Sequence, residues 1–195
     1  IKAMDAWISG VRSMVMACII LVLAWTIGDV CADMKTAEYI VDLTSGFLTP
    51  ALLPAVTFFT AAVISFSTGS SWATMSILVP VTVPMSIQLL GGEGNQVVQD
   101  PIFLSTFAGV LSGSVFGDHC SPISDTTVLS STASGSDHID HVRTQLPYAL
   151  ISGVIALLAG YIFTGLGISL IVSLSVGLVL VIGVLKIFGK PILHE

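Results

Sequence analysis

The chain has 195 residues, of which 54% are apolar and 9% charged, with a net charge of −6. A water-soluble domain carries about 25% charged residues; this composition, with a mean hydropathy of +0.98, excludes an ordinary soluble fold and predicts an all-α polytopic membrane protein. The acidic balance gives no reason to expect a nucleic-acid partner. Cys18, Cys31 and Cys120 are too scattered for a disulfide framework or a zinc pattern.

The chain opens at Ile1, with no basic region and short apolar stretch of the kind that makes a signal peptide. The expectation is a piece of a longer protein, a single transmembrane domain over 1–195. A first span is predicted over about 13–30, without a charge until Asp29, followed by a polar loop with Lys35 and Glu38. No charged residue then occurs from Leu43 to Gly92. Within that gap, 47–90 is apolar but interrupted at Ser65–Ser71 by Ser-Phe-Ser-Thr-Gly-Ser-Ser. Pro50 and Pro54 begin the first arm. Pro80 and Pro84 disrupt the second, leaving only Trp72–Val79 before its first proline. That shortness favours a re-entrant hairpin with a polar tip over two full spans.

After a loop at Gly91–Asp100, Pro101 suits the first turn of a helix that runs to Gly117. Gly109, Gly113 and Gly117 fall one per turn, a stripe that lets a neighbouring helix approach closely. A polar break follows at Asp118–Asp125, Asp-His-Cys-Ser-Pro-Ile-Ser-Asp, and then a second half-helix, Thr126–Ser134. Together, 101–134 is predicted to be one discontinuous helix. Gly135–His141 is a loop in which His138 and His141 are expected to be solvated. The second charge-free gap, Thr144 to Leu185, holds two spans of roughly 20 residues. They cover about 146–163 and 168–187 and part at Gly165-Leu166-Gly167; Ser169, Ser173 and Gly177 give the last a second small-residue stripe.

Basic residues orient the chain. If 101–134 crosses once and 47–90 returns to the side it left, Lys2, Arg12, Arg143, Lys186 and Lys190 share one side and Lys35 faces them. The positive-inside rule then puts the C-terminus in the cytoplasm.

The break carries the chemistry. Ionised side chains at membrane depth cost a few kcal/mol or more and usually line an ion or substrate path. Asp118 and Asp125 can each take a cation or a proton, and that competition suffices for exchange; the plainer alternative is that they cap helix ends at the surface. The first half-helix would aim free carbonyls into the break, which favours a cation, while Asp125 would N-cap the second. Ser121 and Ser124 offer oxygen ligands there. Ser67, Thr68, Ser70 and Ser71 offer hydroxyls and carbonyls at the hairpin tip, oxygen ligands of the kind hard cations favour, against the alternative of an ordinary Gly/Ser turn. His119 is a candidate pH sensor or a hydrogen-bond partner of nearby backbone. Asp118, His119 and Cys120 make a poor metal set, because three adjacent residues rarely converge on one ion.

At two segments the chain resembles the NhaC-type Na⁺/H⁺ antiporter family of the ion-transporter superfamily. These are Gly117-Asp118-His119-Cys120-Ser121-Pro122-Ile123-Ser124-Asp125-Thr126-Thr127 and Ser67-Thr68-Gly69-Ser70-Ser71-Trp72-Ala73-Thr74. The resemblance covers nearly the whole chain. It implies the C-terminal half of a longer antiporter, with an inverted repeat upstream, in the cell membrane. The implied partners are the lipid bilayer, Na⁺, H⁺, the N-terminal half and, as a further option, a second copy in a homodimer; no organic cofactor is implied. The function expected is Na⁺/H⁺ antiport by alternating access. Sodium-coupled exchange of small carboxylates such as malate and lactate is the alternative, since close relatives of the family do that. An intramembrane hydrolase is disfavoured, because Ser121 and His119 are too close in sequence for a nucleophile–base pair and no nucleophile elbow occurs. A non-transporting scaffold would leave the polar breaks dispensable.

Overall fold

A computed structural model describes residues 2–35, 39, 48–91 and 94–189. Ile1, Glu38, Phe47 and Lys190, which enter the expectations above, lie outside the described residues, as does the C-terminal Glu195. Among the described residues every regular element is a helix.

Helix α1, Lys2–Asp33, contains the predicted first span. A single turn at Pro50–Leu52 leads into α2, Leu53–Thr68, with its prolines in the opening turns. Gly69, at φ 67°, ends α2 in the left-handed conformation, its N–H returned to the Ser65 carbonyl. Ser70 then caps α3, its Oγ accepting the Ala73 N–H at 3.3 Å. The chain thus reverses within two residues, because a left-handed C-cap glycine is followed at once by an N-cap serine.

Helix α3, Ser71–Leu90, continues past Pro80 and Pro84 without a break. Each proline removes one backbone donor. Spaced four apart, the two lie on one face, so the loss is confined to one side of the helix, and such prolines are tolerated in membrane helices. The short second arm expected from the sequence is therefore corrected to 20 residues. Pro50–Thr68 and Ser71–Leu90 are each long and apolar enough to cross a membrane, as are His138–Gly165 and Leu170–Phe188. The arm-length argument for re-entrance at 47–90 falls with that correction.

Helix α4, Pro101–Cys120, outlasts the expected end at Gly117. Pro122 forces Ser121 out of the helical region, to φ −72° and ψ 130°, and nothing before it does so. Asp118, His119 and Cys120 accordingly form the last turn of α4, and the break shrinks to Ser121–Ser124 before α5, Asp125–Ala133. The next helix, α6, also starts early: Asp137 caps it, accepting from the N–H groups of Ile139 and Asp140 at 2.9 and 3.1 Å. It runs from His138 to Gly165 with a π-helical stretch at Ala156–Ile162. Helix α7 is Leu170–Phe188.

The core lies between α2 and α4. Phe58, Ala61, Ala62 and Ser65 of α2 are buried against the glycine stripe of α4, while Leu53 packs with Met85 of α3. A Cβ on Gly113 would stand 2.9 Å from the Ala61 Cβ and closer still to the Phe58 carbonyl oxygen; one on Gly117 would stand 2.7 Å from the Phe66 nitrogen. At this separation the helices also bond directly, the Ser65 hydroxyl donating to the Ser114 carbonyl. The second stripe is used at one position: Ser173 is buried and donates to the Ala159 carbonyl, while a Cβ on Gly177 would meet nothing within 4 Å.

Candidate ion-binding site

The α2–α3 turn and the α4–α5 break lie against one another. Ile123 packs on Gly69 so closely that a Cβ there would be 3.0 Å from its backbone carbon. Gly69 thus meets two demands, a positive φ and a close approach. The Ser121 hydroxyl donates to the Phe66 carbonyl at 2.7 Å, fastening the break to the end of α2.

Asp118 sits at the centre of this junction and is 8% exposed. Both carboxylate oxygens accept hydroxyl hydrogens: Oδ2 from Ser71 at 2.9 Å, and Oδ1 from Ser124 in a short bond. Ser71 opens α3 and Ser124 precedes α5, so one carboxylate joins the starts of two helices to the end of a third. The Ser124 Oγ also accepts the Thr126 N–H at 3.2 Å and lies 2.8 Å from the Thr126 Oγ1. Among the described residues no positive side chain pairs with this buried carboxylate, an expensive arrangement at membrane depth. Helix α4 adds partial negative charge at its C-terminal end. Both features favour a cation bound beside Asp118.

The other expected ligands divide. Asp125 is exposed, in the first turn of α5, and makes no hydrogen bond to Asp118 or its serines among the described residues. The expected N-cap at Asp125 is Ser124 instead, because α5 begins one residue earlier than predicted and a serine hydroxyl reaches the Thr126 N–H. Among the described residues the two carboxylates share no hydrogen-bond partner. Ser67 is exposed and donates back to the Val63 carbonyl at 2.8 Å, Thr68 donates to the Ser65 carbonyl at 3.5 Å, and Ser70 is the cap already described. Among the described residues, no three His, Cys, Asp or Glu side chains gather as a metal site. The His119 ring is exposed, while its carbonyl accepts from Thr127 Oγ1 at 3.3 Å and Gln145 Nε2 at 3.0 Å.

The solvated loop expected around His138 and His141 is corrected as well. Both are half-buried in the first turn of α6, facing the broken helix. His138 Nε2 lies 2.7 Å from the Pro122 carbonyl and Nδ1 3.1 Å from Ser131 Oγ, and His141 Nε2 lies 3.4 Å from Ser130 Oγ. Sequence reasoning also passed over Gln145, and it named Ser65 only as the start of the polar tip. Gln145 gave a signal, as the last strongly polar residue before an apolar span; Ser65 gave none beyond the polar tip it begins.

Residues 2–166 match the sequence profile of the Na⁺/H⁺ antiporter family. An uncharacterized protein of Haemophilus influenzae is 40% identical over 184 residues, which cover 93% of this chain and 34% of that protein. The arginine/ornithine antiporter ArcD of Halobacterium salinarum is 36% identical over 64% of this chain and 24% of its own length. The malate-2H⁺/Na⁺-lactate antiporter of Bacillus subtilis is 33% identical over 64% of this chain and 25% of its own length. The chain thus spans about a third or less of these curated relatives. No solved structure matches it significantly.

Proposed function

The chain belongs to the Na⁺/H⁺ antiporter family, and on that premise we propose that it is the C-terminal half of a secondary transporter exchanging Na⁺ for H⁺ by alternating access. The observation that carries this reading is Asp118, buried without a cationic partner among the described residues and held only by two hydroxyls. Na⁺ and H⁺ compete for that carboxylate. When Na⁺ binds, Ser71 and Ser124 turn their lone pairs to it and act as ligands beside Asp118. When a proton binds, Asp118 is neutral and stays within the serine bonds. Ser121 locks the break to α2, while Ser67, Thr68 and Ser70 shape the turn. Asp125, on an exposed face, serves as a second carboxylate on the ion's route.

Four apolar helices and the family match make this a membrane protein. We place it in the cell membrane with its C-terminus in the cytoplasm, on the basic-residue distribution. An N-terminal half of the same transporter covers the exposed face of α5, and no organic cofactor takes part. Hydrolysis is the weaker reading, because Ser121 is committed to the Phe66 carbonyl. Sodium-coupled exchange of small carboxylates is the second reading for transport, favoured by the likeness to the malate/lactate antiporter.

The test is the full-length protein in vesicles with an internal pH dye, challenged with Na⁺, Li⁺, K⁺, lactate and malate. Na⁺ alone should drive proton movement. Asp118→Asn should abolish it with membrane insertion intact, Asp118→Glu should do less damage, and Asp125→Asn should reduce it less than Asp118→Asn. Normal exchange in Asp118→Asn at wild-type expression refutes the site. Proton movement that requires lactate or malate selects the second reading.

A further inference from the structure

Helix α6 presents His138, His141 and Gln145 at intervals of three and four residues, hence on one face. All three reach the broken helix, and their partners bracket the break: the His119 carbonyl before it, the Pro122 carbonyl within it, and Ser130 and Ser131 beyond it. A carbonyl only accepts, so His138 carries its hydrogen on Nε2 to serve Pro122. Gln145 is oriented by the same logic. Its Nε2 serves His119, since its own oxygen there would oppose another acceptor, and this leaves Oε1 buried without a partner. The amide is spent on the His119 carbonyl at the expense of its other end.

Backbone carbonyls released by an unwound segment are ready cation ligands. Here two of them, on the side facing α6, are already engaged, Pro122 by His138 and His119 by Gln145 together with the Thr127 hydroxyl, whereas the side facing α3 presents a carboxylate with two hydroxyls.

We propose that His138 and Gln145 are positioning residues for the ion site: their N–H groups fix the two edges of the break and withdraw the Pro122 and His119 carbonyls from competition, so that the cation is received on the α3 side by Asp118, Ser71 and Ser124. This rests on the reading of Asp118 as the ion-binding carboxylate. His138 and Gln145 touch no ion themselves. They act through the backbone, and their contribution lies in the donor rather than in bulk.

The full-length protein in pH-dye vesicles separates donor from bulk through His138→Met and Gln145→Met, which keep size and lose the donor, and His138→Gln, which keeps an amide N–H near the Nε2 position. Losing one such bond should raise the apparent KM for Na⁺ about tenfold in each Met variant with the maximal rate within about twofold, while His138→Gln stays within about threefold of wild type. A second readout needs no transport: Ile123→Cys, in the break, should react faster with an impermeant maleimide when combined with His138→Met than with His138→Gln. A wild-type KM and labelling rate in the Met variants overturns the proposal, as does equal damage by Met and Gln. If the wild-type protein shows no Na⁺-driven flux, the ion reading of Asp118 fails, and the labelling contrast alone decides whether α6 holds the break.

Discussion

Gly113→Ala tests whether the closeness of α2 and α4 sustains the structure. The added methyl would stand 2.9 Å from the Ala61 Cβ and closer still to the Phe58 carbonyl oxygen. Carbon atoms in ordinary contact stand about 3.5–4.0 Å apart, so the helices must separate by the better part of an ångström. The obstacle is backbone, which cannot rotate aside like a long side chain. Overpacking of this kind costs typically about 1–3 kcal/mol, here with further loss as the bond from Ser65 to the Ser114 carbonyl stretches. Gly177→Ala is the matched control. It makes the same substitution inside α7, where a Cβ meets nothing within 4 Å, and alanine's better helix propensity should leave stability level or raise it by up to about 1 kcal/mol. Thermal unfolding of the full-length protein in detergent should show a lowered midpoint for Gly113→Ala and none for Gly177→Ala. Equal stability of Gly113→Ala and wild type, or an equal loss at both positions, refutes the close-approach argument.

Ser71→Ala removes the donor to Asp118 Oδ2 and should raise the apparent KM for Na⁺ in the vesicle assay, whereas Ser67→Ala, whose hydroxyl donates to the Val63 carbonyl of its own helix, should leave transport unchanged. Identical behaviour of the two variants would remove Ser71 from the site. For topology, Lys35→Cys should be labelled by an impermeant reagent from outside intact cells, and Ser136→Cys, exposed just before α6, only after the membrane is opened. Labelling of Ser136→Cys in intact cells reverses the proposed orientation.

Much of the fold was legible because membrane helices announce themselves by length and apolarity, and their ends by a few local rules. Gly69 followed by Ser70 is a C-cap followed by an N-cap, and Pro101 opens α4 as proline does in a first turn. The errors arose where a local rule was pressed against context. Pro80 and Pro84 looked like breaks because each forfeits a hydrogen bond, yet on one face of a membrane helix that loss leaves the helix intact. At the end of α4 the reverse held. A run of polar residues looked like loop, although only Pro122 acts on the backbone, and so Asp118 stays within the final helical turn.

The site was legible in its residue types and not in its pairings. Both aspartates carry the same local signal, a carboxylate in an apolar region, and they stand seven positions apart. What distinguishes them is non-local. The last turn of α4 directs Asp118 toward Ser71, which only the α2–α3 turn brings within reach, while Asp125 lies beyond the break on an exposed face. The hydroxyls divide in the same way: of the four expected at the turn, only Ser71 opens the helix that packs beside α4 and can reach across to the carboxylate. His138 shows how far tertiary context can override composition. Surrounded in sequence by Asp137, Asp140, His141 and Arg143, it resembles a solvated loop residue, but an N-cap at Asp137 starts α6 there and turns the ring onto the Pro122 carbonyl. Residues that hold a broken helix in place need only a donor of the right reach and a helix to present it, and neither requirement leaves a mark in composition or spacing.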